Sequence, residues 1–203
     1  MKIAIIGATG NAGSRIAFEL LKRGHQVTGI ARHPDKLDPR PGLILVQGDV
    51  KDETGMAKLL AGHDAAIHSI RFLDTEFSSA IAAVKTAGVK RFLVVGGAGS
   101  LEVAPGYVLV DTPNFPPPYK PEASAGRSFL NRLKTEHELD WTFLSPSIVF
   151  SPGERTGKFR LGKDEVLTDA DGKSSISMED YAIALADEIE RPQHSRERFT
   201  VGY

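Results

Sequence analysis

Cysteine is absent from the 203 residues. That excludes disulfides, thiolate nucleophiles and cysteine metal ligands, and it gives no sign of an oxidising compartment. An excess of one charge is absent too: 25 basic residues face 26 acidic ones. Nothing electrostatic therefore favours nucleic acid or an anionic membrane as a partner. No apolar run approaches the roughly 18 residues that a membrane span requires. The run Ile3–Ile6 stops at Gly7, too soon for a signal-peptide core. The expectation is a soluble, cytoplasmic protein. Metal-ligand spacing is also missing. His25, His33, His63, His68, His137 and His194 form no His-x-x-x-His pattern, and no metal site is expected.

What is present is a rhythm. Hydrophobic residues make up 41% of the chain, enough to bury one core, and a single domain over 1–203 is expected. Short apolar runs at 2–6, 26–30, 43–47, 65–70 and 91–95 read as buried strands. Between them, 11–23, 54–61 and 75–87 carry helical spacing and stop at Gly24, Gly62 and Gly88. This alternation predicts an α/β fold: one doubly wound parallel sheet of Rossmann type, with strand order beginning 3-2-1-4-5. The rhythm breaks over 101–121, where six prolines predict a long irregular loop. A helix at 122–138, a strand at 141–144, a polar excursion at 151–173, a helix at 178–190 capped by Ser177 and a strand at 198–201 complete the chain. The charged stretches Glu179-Asp180 and Arg196-Glu197-Arg198 read as solvated surface.

Gly7-Ala8-Thr9-Gly10-Asn11-Ala12-Gly13 follows the first strand and opens the first helix. In that context the motif predicts a cradle for a dinucleotide diphosphate. Gly7 allows a tight turn, Gly10 lets the backbone approach the phosphates, and Gly13 allows close packing. The free N–H groups of the first helical turn would face the anion, with Thr9 and Asn11 as further donors. After the second strand, NAD-specific sites usually carry an acid that binds the ribose. Here Arg32 stands instead and can pair with a 2′-phosphate, which favours NADP(H) over NAD(H). Asp35 nearby keeps NAD(H) open. Asp49 and Val50, after the third strand, are candidates for the adenine, although Gly48-Asp49 also suits an ordinary turn.

These residues resemble the atypical short-chain dehydrogenase/reductase superfamily. Leu93–Ser100, Asp140–Pro146 and Pro152–Gly157 look like its NADH-flavin-reductase-like branch, related to biliverdin reductase B and NmrA-like proteins. The resemblance covers nearly the whole chain. It implies that His68 and Ser69 lie along the ribose and diphosphate, that Gly97 and Ser100 face the nicotinamide, and that Pro146 lines the pocket from the other side. The superfamily's Tyr-x-x-x-Lys pair is missing: Asp111, Ala123 and Leu185 stand four residues after Tyr107, Tyr119 and Tyr181. That weakens an alcohol or ketone substrate. Flavins and quinones need no such pair, because they accept a hydride while water supplies the proton. An NAD(P)H-dependent reductase of flat acceptors is therefore expected, with Ser100 as a hydrogen-bond donor and Tyr119 as a lid or stacking residue. The alternatives are a non-catalytic NADP(H) sensor and, more weakly, a sugar-nucleotide epimerase or dehydratase.

Overall fold

The structure is a computed structural model and describes residues 1–203. Apolar runs too short for helices form strands, and amphipathic segments between them form helices. The first half gives β1 (Lys2–Ile6), α1 (Asn11–Lys22), β2 (Gln26–Ala31), β3 (Leu43–Gln47), α2 (Glu53–Leu60), β4 (Ala65–His68), α3 (Phe77–Thr86) and β5 (Arg91–Val95). The second half adds β6 (Glu102–Ala104), β7 (Tyr107–Val108), α4 (Lys120–Leu133), β8 (Asp140–Pro146), β9 (Val149–Ser151), β10 (Arg160–Gly162), β11 (Ser175–Ser177), α5 (Met178–Glu190) and β12 (Glu197–Gly202).

Eight strands share one sheet in the order β10-β12-β8-β5-β4-β1-β2-β3. The expected 3-2-1-4-5 order holds for the first five. All pairings are parallel except that of edge strand β10 with β12. Successive residues of β1 point to opposite faces, and both faces are buried. Ile3 and Ile5 meet Ile16 and Leu20 of α1 and Tyr181 and Leu185 of α5. Ala4 and Ile6 meet a second core built from Met56 and Leu60 of α2, Ile81 of α3 and Phe129 of α4. The sheet is thus doubly wound and Rossmann-like.

The departures lie after β5. The proline-rich segment is not wholly irregular. It holds the antiparallel β6–β7 hairpin, turned at Gly106, whose φ of +72° no ordinary side chain favours. Helix α4 starts at Lys120, two residues before the expected 122. Pro121 is tolerated there because an N–H at the first turn has no helical partner. It ends at Leu133 rather than 138, and the Glu136 carbonyl accepts from the Trp141 indole instead. The 151–173 excursion contains β10, and β9 pairs with β11 in a separate two-stranded sheet.

The solvated reading of two charged stretches holds for Arg196 and Glu197, which are exposed, and is corrected at Asp180 and Arg198. Asp180 has no exposed surface and accepts from Gly157 N at 2.8 Å and the Tyr203 hydroxyl at 2.9 Å. Arg198 lies inside the sheet layer at 8% exposure, with its charge met by Asp164. Each buried ion is met by partners distant in sequence. Ser177 caps α5 as expected, accepting from Asp180 N at 3.0 Å.

Candidate functional site

The carboxyl ends of β1, β2, β4, β5 and β8 lie along one edge of the sheet, where open α/β sheets bind ligands. At the centre of that edge the glycine loop turns from β1 into α1. Gly7 has φ +90°, and a Cβ there would sit 2.3 Å from Ser69 O. A Cβ on Gly13 would sit 2.2 Å from Gly7 O. These two glycines are required by the protein's own packing. Gly10 is different. Its φ of −74° and ψ of 166° suit any residue, and the nearest atom to an added Cβ is Gly7 O at 3.3 Å. Its bare backbone leaves room for something outside the chain.

The helix start points the same way. No backbone or side-chain group accepts from the N–H of Asn11, Ala12 or Gly13, and no side chain caps α1. The first turn also carries no acid. Free N–H groups at the positive end of a helix dipole form an anion site. Thr9 is half-buried and Asn11 exposed, so both side chains can reach an anion held there.

The flanking strand ends differ in how free their side chains are. Arg32 follows β2, is exposed, and pairs with no acid of the chain. Asp49 is exposed, but one carboxylate oxygen accepts from Lys51 N at 3.0 Å and closes a turn. The Val50 side chain is 6% exposed and belongs to the second core, which leaves little of it for a ligand. Ser69 is half-buried and donates its N–H to Ile6 O at 2.8 Å. His68 lies beneath the site with no exposed surface and cannot touch a ligand with its ring. It bonds Thr75 Oγ1 at 3.1 Å and sits edge-on to Phe129. Burial pushes its pKa down to about 4.

Beyond β5 the edge opens into a cleft of about 530 Å³. Gly97, Ser100 and Tyr119 all line it, so these three candidates converge. Tyr119 is 68% exposed, which suits a movable aromatic wall. Pro146 is buried and does not line the cleft. That wall is made by Ile148, Val149 and Phe150 just after it. Sequence reasoning also missed Phe72, Phe115 and Glu122. The Glu122 carboxylate accepts from Phe72 N at 2.7 Å and Leu73 N at 3.2 Å, tying α4 to the turn after β4. Nine of the 16 lining residues are hydrophobic, so the cleft suits an apolar ring better than a charged sugar. A smaller cleft of about 360 Å³ over α1 is lined by Arg15, Glu19, Lys22 and Arg155. Its charges largely pair with each other: Arg155 binds Glu19 at 2.8 Å and holds that carboxyl down near pKa 2. It lies on the flank of the helix and carries none of the candidate residues.

A family model described as NAD(P)H-binding matches residues 7–192. The protein YwnB of Bacillus subtilis is 44% identical over 99% of this chain and 98% of its own length. Three solved structures are similar along the whole chain. One, provisionally described as an exported protein of Burkholderia pseudomallei, is 45% identical, with TM-score 0.90 and 100% of both chains covered. Another, provisionally described as an epimerase of Bacteroides thetaiotaomicron, is 44% identical, with TM-score 0.96 and 96% of its chain covered. The third, provisionally described as an NADH-flavin reductase of Streptococcus pneumoniae, is 37% identical, with TM-score 0.87 and 99% of its chain covered.

Proposed function

The chain belongs to the NAD(P)H-binding family, as an atypical short-chain dehydrogenase/reductase, and from that premise we propose that it is an NADPH-dependent reductase of flat conjugated acceptors such as flavins and quinones. One observation carries the choice of acceptor: an apolar cleft beside the cofactor loop that holds a hydroxyl but no assembled proton-transfer pair.

The four tyrosines account for this. Tyr107 donates to Asp111 O at 3.0 Å. Tyr181 is fully buried and donates to Leu144 O at 2.7 Å, and burial raises its pKa strongly. Tyr203 donates to Asp180 at 2.9 Å. Only Tyr119 lines the cleft, and its successor four residues on is Ala123. An alcohol, ketone or sugar substrate needs a general acid at the reacting oxygen. A flavin or quinone does not.

The residues present fit the dinucleotide. Asn11, Ala12 and Gly13 would donate backbone N–H groups to the diphosphate, and the unpaired Arg32 would meet a 2′-phosphate. When bound, the reduced nicotinamide supplies a hydride. The reaction balances as one hydride transferred to the acceptor ring and one proton taken from water. The chain's part is to orient two rings and exclude water between them. Ser100 donates a hydrogen bond to the acceptor's ring carbonyl, and Tyr119 covers its exposed face. We place the protein in the cytoplasm, where reduced dinucleotide is supplied. Its helices agree with this to the extent that none is long and apolar enough to cross a membrane.

The test is a panel: the purified protein with NADPH or NADH, against FMN, riboflavin and 1,4-naphthoquinone. Consumption of NADPH faster than NADH with at least one acceptor is expected. Tight NADPH binding without oxidation across the panel would instead support a non-catalytic sensor.

A further inference from the structure

Ser100 is 6% exposed and lines the apolar cleft. Its hydroxyl has one partner in the chain, Arg198 Nη1 at 3.5 Å. A guanidinium has donors only, so Ser100 Oγ must accept. No group of the chain accepts the hydroxyl hydrogen in return. The same guanidinium reaches Ser100 O at 3.4 Å and Ser145 Oγ at 3.5 Å. Ser145 has no exposed surface, so Ser100 is the one of the two hydroxyls that meets the cleft.

Arg198 is itself held. Its Nε donates to Asp164 Oδ1 at 2.7 Å, and Nη2 binds the same oxygen. The guanidinium side chain is 4% exposed and that of Asp164 55%. Water therefore screens the carboxylate far more than the cation, and a positive field persists at Ser100. Asp164 O also accepts from Glu102 N at 2.7 Å, which anchors the Asp164 loop to β6 beside the cleft.

We propose that Arg198, fixed by Asp164, is the positioning residue that turns the Ser100 hydroxyl into an obligate donor aimed at an acceptor oxygen in the cleft. This rests on the reductase reading above for the identity of the ligand. Its chemical content is narrower: a flat apolar ring bearing a carbonyl is bound in preference to the same ring without one. The field from Arg198 also favours the negative charge that builds on that oxygen as the ring is reduced.

The test uses calorimetric titration of the intact chain, saturated with NADP+, with 1,4-naphthoquinone and with naphthalene as the carbonyl-free control. Ser100→Ala should weaken naphthoquinone binding about tenfold and leave naphthalene unchanged. Arg198→Met, which removes both the donor and the charge, should produce a similar loss, and the double variant should bind no worse than Ser100→Ala alone. Asp164→Asn, at an exposed carboxylate, should give a smaller loss of the same selectivity and serves if Arg198→Met fails to fold. Losses that multiply in the double variant would overturn the proposal. So would equal losses for the two rings. Absence of NADPH oxidation by the wild type would sink the reductase reading alone, because the binding cycle is read without turnover.

Discussion

In Gly10→Ala the added methyl meets Gly7 O at 3.3 Å and Ser69 O at 3.9 Å, with backbone angles that alanine adopts freely. A Gly→Ala change at a compatible position stabilises by about 0.4–1 kcal/mol through the unfolded chain. The tight 3.3 Å contact offsets part of that. The free protein should therefore unfold within about 2–4 °C of the wild type, the shift that about 1 kcal/mol produces at this chain length. Binding should behave otherwise. On the proposed diphosphate site, where the anion lies against the bare Gly10 backbone, the methyl holds it away from the N–H groups of Asn11 and Ala12. Losing two hydrogen bonds to a charged diphosphate, at about 1.5–3 kcal/mol each, costs roughly 3 kcal/mol or more. That corresponds to affinity for NADPH and NADH lowered on the order of 100-fold. Gly13→Ala is the contrast, because its Cβ would lie 2.2 Å from Gly7 O and should lower stability and binding together. Thermal unfolding of the free protein, with calorimetric titration of both cofactors, separates the two variants. Wild-type affinity in Gly10→Ala would refute the assignment of Gly10 to the diphosphate.

Three further outcomes follow from the same geometry. Arg32→Ala should lower NADPH affinity about 10- to 100-fold while changing NADH affinity less than about twofold; equal losses in a paired titration would show that Arg32 does not meet a 2′-phosphate. His68 titrates near 4 when folded against an ordinary value of 6.5, so its contribution to stability is complete above pH 6.5 and is lost as pH falls to 4. About 3 kcal/mol should disappear across that window, and urea midpoints measured against pH should flatten there in His68→Leu; an unchanged slope would contradict a buried neutral ring. Glu188→Ala should cost about 3–5 kcal/mol, because it leaves the buried Arg91 guanidinium without the carboxylate now at 2.8 Å; a urea-unfolding loss below about 1 kcal/mol would argue against it.

The first half of the fold was legible because its signals are local. The period of β1, the glycines closing α1 and α2 and the context of the Gly7–Gly13 loop all lie within short windows. The cofactor side of the site inherited that clarity. The acceptor side did not. Phe72, Phe115 and Ile148–Phe150 meet only through folding, and no spacing joins them in the chain. Arg198 looked like surface because Asp164 and Ser100 stand 34 and 98 residues away. The three-residue β10 and the β6–β7 hairpin are too short to show a period. His68 closes β4, where strand alternation turns its ring into the core, and Val50, in the turn after β3, packs its side chain into the second core.

The central claim is hydride transfer from NADPH to a flat ring in the cleft beside Ser100. Anaerobic single-turnover mixing of the protein with 1,4-naphthoquinone and NADPH deuterated at one face of the nicotinamide tests it most directly. Protein-dependent oxidation, slowed by deuterium on one face and not the other, is expected. Oxidation at the rate seen without protein, or no oxidation despite bound NADPH, would contradict it.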